Sequence, residues 1–191
     1  LWERYGDGLV TMVNVSECGY NFARLAGQLD AKVRRWQPDL VITQLWLCGH
    51  DDNYNEAQQT FRTCIDDMRA NRPELDILVC TPNPNVLCPG HELPEGTVAG
   101  EVYETAFWNS ERNAGLVEVA TEKGCDVVDH FTAWQRQTYE YAHAGANPRG
   151  LWQRMIDTIH PNALGHRVLF RELADAFDVA RHFPWEEPDT P

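Results

Sequence analysis

The stretch Leu40-Val41-Ile42-Thr43-Gln44-Leu45-Trp46-Leu47-Cys48 decides the fold. It reads as a strand apolar enough to be covered on both faces, which is the habit of strands in parallel sheets. Upstream, Pro38 ends a helical face made by Phe22, Leu25, Leu29, Val33 and Trp36, spaced by threes and fours. Before that helix, residues 9–15 (Leu-Val-Thr-Met-Val-Asn-Val) read as another strand. Downstream, Ala57, Phe61, Cys64, Ile65 and Met68 mark a second helix, and residues 75–80 a further strand. Pro82, Pro84, Pro89 and Pro94 make 81–100 a long loop. A helix over 101–123 should stop at Gly124, followed by a strand over 125–129. A weaker helix over 134–141, a loop over 144–161 and a last helix through Leu164, Val168, Leu169, Leu173 and Phe177 complete the pattern.

Strand and helix alternating in this way require parallel pairing through right-handed crossovers. The expected fold is α/β: a three-layer α/β/α sandwich with a parallel, flavodoxin-like sheet. One domain should span residues 1–183, with a Pro- and acid-rich tail over 184–191. Ligands of such sheets sit beyond the carboxyl ends of the strands. That directs attention to loops 14–21, 48–55, 81–100 and 129–132 and to the loop before the last helix.

The chain has 191 residues, 16 Lys and Arg, and 29 Asp and Glu, for a net charge of −13. Such a body is repelled by phosphate backbones and anionic lipid surfaces, so nucleic acid is not an expected partner. No apolar run is long enough to span a bilayer. No signal peptide opens the chain, and secretion and a cytoplasmic location both stay open. The six Cys form no C-x-x-C pair, which argues against a zinc knuckle. Cys18, Cys48, Cys80 and Cys125, in or beside apolar runs, read as small buried hydrophobes, with a Cys80–Cys88 bridge as the alternative for an exported protein.

The sharpest constellation is Asp157-Thr158-Ile159-His160-Pro161-Asn162, followed by Gly165-His166. A carboxylate three residues before a histidine can accept its Nδ1 proton, which leaves Nε2 free to act as a base. Pro161 and Asn162 would then set the turn and start the last helix. Read without this role, the segment is a helix-entry loop with an incidental histidine.

This block resembles the last signature of the SGNH (GDSL-type) hydrolases. Two further segments match in order. Val13-Asn14-Val15-Ser16-Glu17-Cys18-Gly19 resembles the second block, and Pro38-Asp39-Leu40-Val41-Ile42 leading into Gly49-His50-Asp51-Asp52 resembles the third. The resemblance runs from Tyr5 to about Phe177. It implies a carboxylic ester hydrolase working by serine acyl transfer on a small-molecule ester such as an acetylated carbohydrate or a lipid. His160 would be the base, Asp157 its orienting partner and Gly19 an oxyanion-hole donor. No metal and no organic cofactor are implied.

The sequence departs from the family pattern twice. The Gly-Asp-Ser nucleophile block is absent, since Gly6-Asp7-Gly8 lacks the serine. A missing N-terminal segment or a companion chain is therefore expected to complete the sheet, because the family's first strand lies inside it. Second, Asp51 stands where the family places an oxyanion-binding Asn. An ionised carboxylate has no proton to donate. Either Asp51 is protonated, or Asn53 substitutes, or Gly19 and another N–H carry the hole. Ser16 is a candidate local nucleophile, although the resemblance makes its position loop. Cys18 or Cys48 paired with His160 is a further alternative. A metal site of His50, Asp51 and Asp52 with His160 or His166 is a minority reading. The remaining alternative is a non-catalytic binding or structural domain on the same scaffold. Asn14-Val15-Ser16 fits the glycosylation pattern, but its place at a strand end predicts burial. His130 reads as an ordinary polar residue.

Overall fold

A computed structural model describes residues 8–17, 21–45, 54–83, 107–134, 136 and 161–177. Its elements in chain order are α1 (Phe22–Ala26), α2 (Leu29–Lys32), a 3-10 turn (Arg34–Trp36), β1 (Leu40–Thr43), α3 (Tyr54–Arg69), β2 (Asp76–Cys80), α4 (Phe107–Glu122), β3 (Asp126–Val128) and α5 (Ala163–Ala176). The strands form one parallel sheet in the order β1-β2-β3, with Leu40 paired to Asp76 and Leu78 to Asp126.

The period-two pattern of β2 divides the core into two layers. Ile77 and Val79 face a cluster with Phe22, Phe61, Ile65 and Leu116, supplied by α1, α3 and α4. Leu78 and Cys80 face the opposite way, against Val128, Leu173 and Phe177 of the α5 side. Helices thus cover both faces, and the three-layer α/β/α arrangement follows from the alternation. Phe22 and Phe61 stack with ring centroids 4.0 Å apart at the centre of the larger layer.

Charged side chains fasten the strand entrances. The Arg69 guanidinium donates to the carbonyls of Leu75, Lys123 and Gly124, joining the end of α3 to the start of β2 and the exit of α4. Gly124, at φ +63°, ends α4. Its N–H donates to Thr121 O at 3.1 Å and that of Cys125 to Ala120 O at 2.8 Å, a Schellman cap that returns the chain into β3.

Two sequence expectations are corrected. The single helix over residues 22–36 is broken into α1, α2 and the 3-10 turn, with Gly27 capping α1. Its apolar face survives the break except at Trp36, which is 45% exposed. Residues 9–15 form no strand: residues 10–17 have no regular secondary structure, and Leu9 and Met12 are 78% and 77% exposed. A strand exists only with a neighbour to take its backbone groups, and no strand beside 9–15 is among the described residues. Among the described residues the other helices and strands lie within or close to the stretches expected for them, and the weaker helix expected over 134–141 falls largely outside them. Among the described residues, no helix is long and apolar enough to cross a membrane.

Candidate active site

The carboxyl ends of β1, β2 and β3 carry a polar cluster in which Thr81 and His130 are buried, Asp129 half-buried and Gln44 exposed. Thr81, directly after β2, is completely buried, and His130, two residues beyond β3, is 4% exposed. The Thr81 hydroxyl donates to Asp129 Oδ1 at 3.0 Å and accepts the N–H of Phe131 at 3.0 Å. Asp129 also accepts the N–H and hydroxyl of Thr132. Gln44, directly after β1, donates from Nε2 to Thr81 O at 3.4 Å and meets His130 Nδ1 at 3.3 Å. Burial holds the His130 pKa below its ordinary value, against the opposing pull of the Thr81 and Leu169 peptides and of Asp129. The exits of all three strands are therefore tied together by side chains. Sequence reasoning missed this cluster. Its one signal was a histidine immediately after a strand, in a loop already expected to face ligand.

Other described residues anchor the segments next to the loops that the motifs identify. Asn162 caps α5: its Oδ1 accepts the Gly165 N–H at 3.2 Å and its carbonyl the His166 N–H at 2.9 Å. Pro161 and Asn162 thus form the turn and start the helix, as their sequence predicts. Asn21 caps α1 in the same manner, with Oδ1 accepting the Arg24 N–H at 2.9 Å. Asn21 and Pro161 each occupy a single-residue β-bridge position. Residues 14–17 are bound onto α1 and α2. Lys32 ion-pairs with Glu17 and donates to Val15 O at 3.4 Å, and Arg24 lies 3.6 Å from Glu17. The Lys32 hydrogen bond holds the Glu17 carboxyl below its ordinary pKa.

Of the sequence-predicted site residues, Ser16 is described. It is exposed, and its N–H donates to Asn14 Oδ1 at 3.0 Å. Asn14 is itself exposed, which corrects the expected burial of the glycosylation pattern. His160, Asp157, Gly19, Asp51 and Asn53 lie outside the described residues, as do Cys18, Cys48, His50 and Asp52. Structure is nevertheless described close to each motif loop, at Glu17, Asn21, Leu45, α3 and Pro161. Among the described residues, no three His, Cys, Asp or Glu side chains gather as a metal site. Cys64, Cys80 and Cys125 are buried free thiols, and Cys88, the partner in the alternative bridge, lies outside the described residues. Burial pushes the Cys64 thiol up to about 11 and Cys80 up to about 12.

Solved structures with this fold include a protein described as a platelet activating factor from Streptococcus pneumonia. It is 18% identical at a TM-score of 0.66, with 92% of this chain and 76% of that one covered. An acetyl xylan esterase is 16% identical at a TM-score of 0.63, with 83% and 76% covered. An acetylxylan esterase from Geobacillus stearothermophilus is 16% identical at a TM-score of 0.58, with 89% and 71% covered. No curated protein matches in sequence. Residues 1–168 match the GDSL-like Lipase/Acylhydrolase family as a whole. With a parallel sheet covered on both faces, and the three motif blocks in family order, this chain belongs to the GDSL-like lipase/acylhydrolase family.

Proposed function

We propose that this chain carries the base, its orienting acid and part of the oxyanion hole of a serine carboxylic ester hydrolase. His160 takes the proton of the nucleophile through Nε2, and Asp157 accepts its Nδ1–H and stabilises the imidazolium that forms. The Gly19 N–H donates to the oxyanion. Asp51 holds the fourth family position as a protonated acid, or leaves its donor role to Asn53. The observation that carries this reading is the family match over residues 1–168 together with the three blocks in order. Asn21 and Asn162 support it, because each caps a helix directly beside one of the two loops that must meet.

The acetyl xylan esterases that share the fold favour acetylated carbohydrate as the substrate class. Release of acetate from acetylated xylan and from p-nitrophenyl acetate by the gene product tests this. Turnover of the aryl ester alone would keep the chemistry and remove the carbohydrate.

A second reading, a non-catalytic binding or structural domain, is favoured by two features of the sequence. Asp51 replaces the family's Asn, and no Gly-Asp-Ser block is present in the 191 residues. Loss of one oxyanion donor costs about 10²–10³ in rate. An Asp51→Asn variant with activity unchanged or raised supports the hydrolase. No ester turnover in either protein supports the binder.

A further inference from the structure

We propose that Asn14 is an N-glycosylation site, with Nδ2 taking a sugar from a diphosphate-activated glycosyl donor. The inference goes beyond the ester-hydrolase reading and does not depend on it.

Asn14-Val15-Ser16 is the single Asn-x-Ser/Thr sequence in the 191 residues, and its middle residue is not Pro. Such a motif is usable only where a transferase can reach the carboxamide, read the hydroxyl two residues on and bend the backbone to fit. All three conditions hold. Asn14 and Ser16 are both exposed, and residues 10–17 carry no regular secondary structure that would have to be broken. Val15, between them, is half-buried. Lys32 on α2 donates to the Val15 carbonyl at 3.4 Å and ion-pairs with Glu17. The segment is thus held to α2 through Val15 and Glu17, and the two motif side chains stay on the outside.

The carboxamide is also oriented for the reaction. The Ser16 N–H reaches the Asn14 carboxamide at 3.0 Å, and a donor requires an acceptor, so the near atom is Oδ1. This bond closes an Asx turn and leaves Nδ2, the atom that carries the sugar, outside it. In the transfer, the bond from Nδ2 to the sugar C1 forms. The bond from C1 to the donor oxygen breaks, its electron pair leaves on the diphosphate, and one Nδ2 proton passes to a base of the transferase.

The place has a physical use for a sugar. Leu9 and Met12, a few residues upstream, are the most exposed large apolar side chains among the described residues, and Val13 is exposed beside them. Their stretch has strand composition without a strand partner, which invites pairing with other chains. A bulky, hydrated group at residue 14 opposes that.

The test uses the intact gene product in two arms. In one, the folded protein is incubated with a soluble N-glycosyltransferase and UDP-glucose. In the other, it is secreted from a eukaryotic host and then treated with peptide-N-glycosidase, which converts a glycosylated Asn to Asp. Mass mapping of the tryptic peptide 5–24 reads both. The expected result is one hexose on Asn14 of the native protein, absent from Asn14→Gln and Ser16→Ala and kept in Ser16→Thr. Misfolding would expose the motif further, so loss in the first two variants reports the motif itself. Modification in the secreted arm alone identifies a lipid-linked oligosaccharide as the donor, and in the first arm alone a nucleotide sugar. No sugar on Asn14 in either arm, or sugar only after urea is added, would overturn the proposal.

Discussion

Thr81 and Asp129 each directly follow one of two adjacent parallel strands, β2 and β3, and share a 3.0 Å hydrogen bond from hydroxyl to carboxylate, with Thr81 completely buried. The same hydroxyl accepts the Phe131 N–H, so one side chain secures two groups at the exit of β3. Thr81→Val keeps the volume and strands both partners. Stability should fall by about 1–3 kcal/mol, the cost of an unsatisfied buried polar group. Thr81→Ser should restore most of it. Urea unfolding of the three proteins measures the difference.

His130 gives the fold a pH dependence of defined sign. Its folded pKa lies below the ordinary value of 6.5, so the unfolded chain binds more protons in the interval between the two. Stability from this residue is fully present above pH 6.5 and is lost as pH falls toward the folded pKa. His130→Asn should flatten that interval. Unfolding midpoints at half-unit steps from pH 7.5 to 5 check it; parallel curves for the two proteins would contradict it.

The Asn162 cap links helix stability to the His160 loop. Asn162→Ala removes the acceptor of the Gly165 N–H and should cost about 0.5–2 kcal/mol. Ester turnover should fall further than stability explains, because Pro161 and His160 lead directly into the cap. Asn162→Asp should keep both. Thermal unfolding and initial rates, measured side by side, separate the two effects.

Cys64 and Cys80 should be inert in the folded protein. Their thiols are buried and pushed up to about 11 and about 12, so almost no thiolate exists at pH 8. Iodoacetamide followed by peptide mass mapping should find neither residue modified until urea is added. Native-state labelling of Cys80 would show that the α5 layer opens readily.

Much of the scaffold was legible because burial writes itself into spacing. The continuous apolar run of β2 and the threes and fours of α3 locate these two elements before any coordinates. Gly124 announces the end of α4 because a left-handed residue is needed there. Residues 9–15 have strand composition but form no strand, since pairing is a property of two segments and not of one. The break at Gly27 was hidden because the apolar face continues across it. The Gln44–Thr81–His130 cluster was hidden for a different reason. Its outer members are 86 positions apart, and neither hydrogen-bonding partner is implied by local pattern.

The central claim is that His160 activates a serine of the gene product for attack on an ester. A fluorophosphonate probe reports this directly, because it reacts with a serine made nucleophilic by a neighbouring base. The account predicts labelling of one serine in the intact gene product and its loss in His160→Ala, with the unfolding midpoint little changed. Labelling that persists in the His160→Ala protein, or none in the wild type, would contradict it.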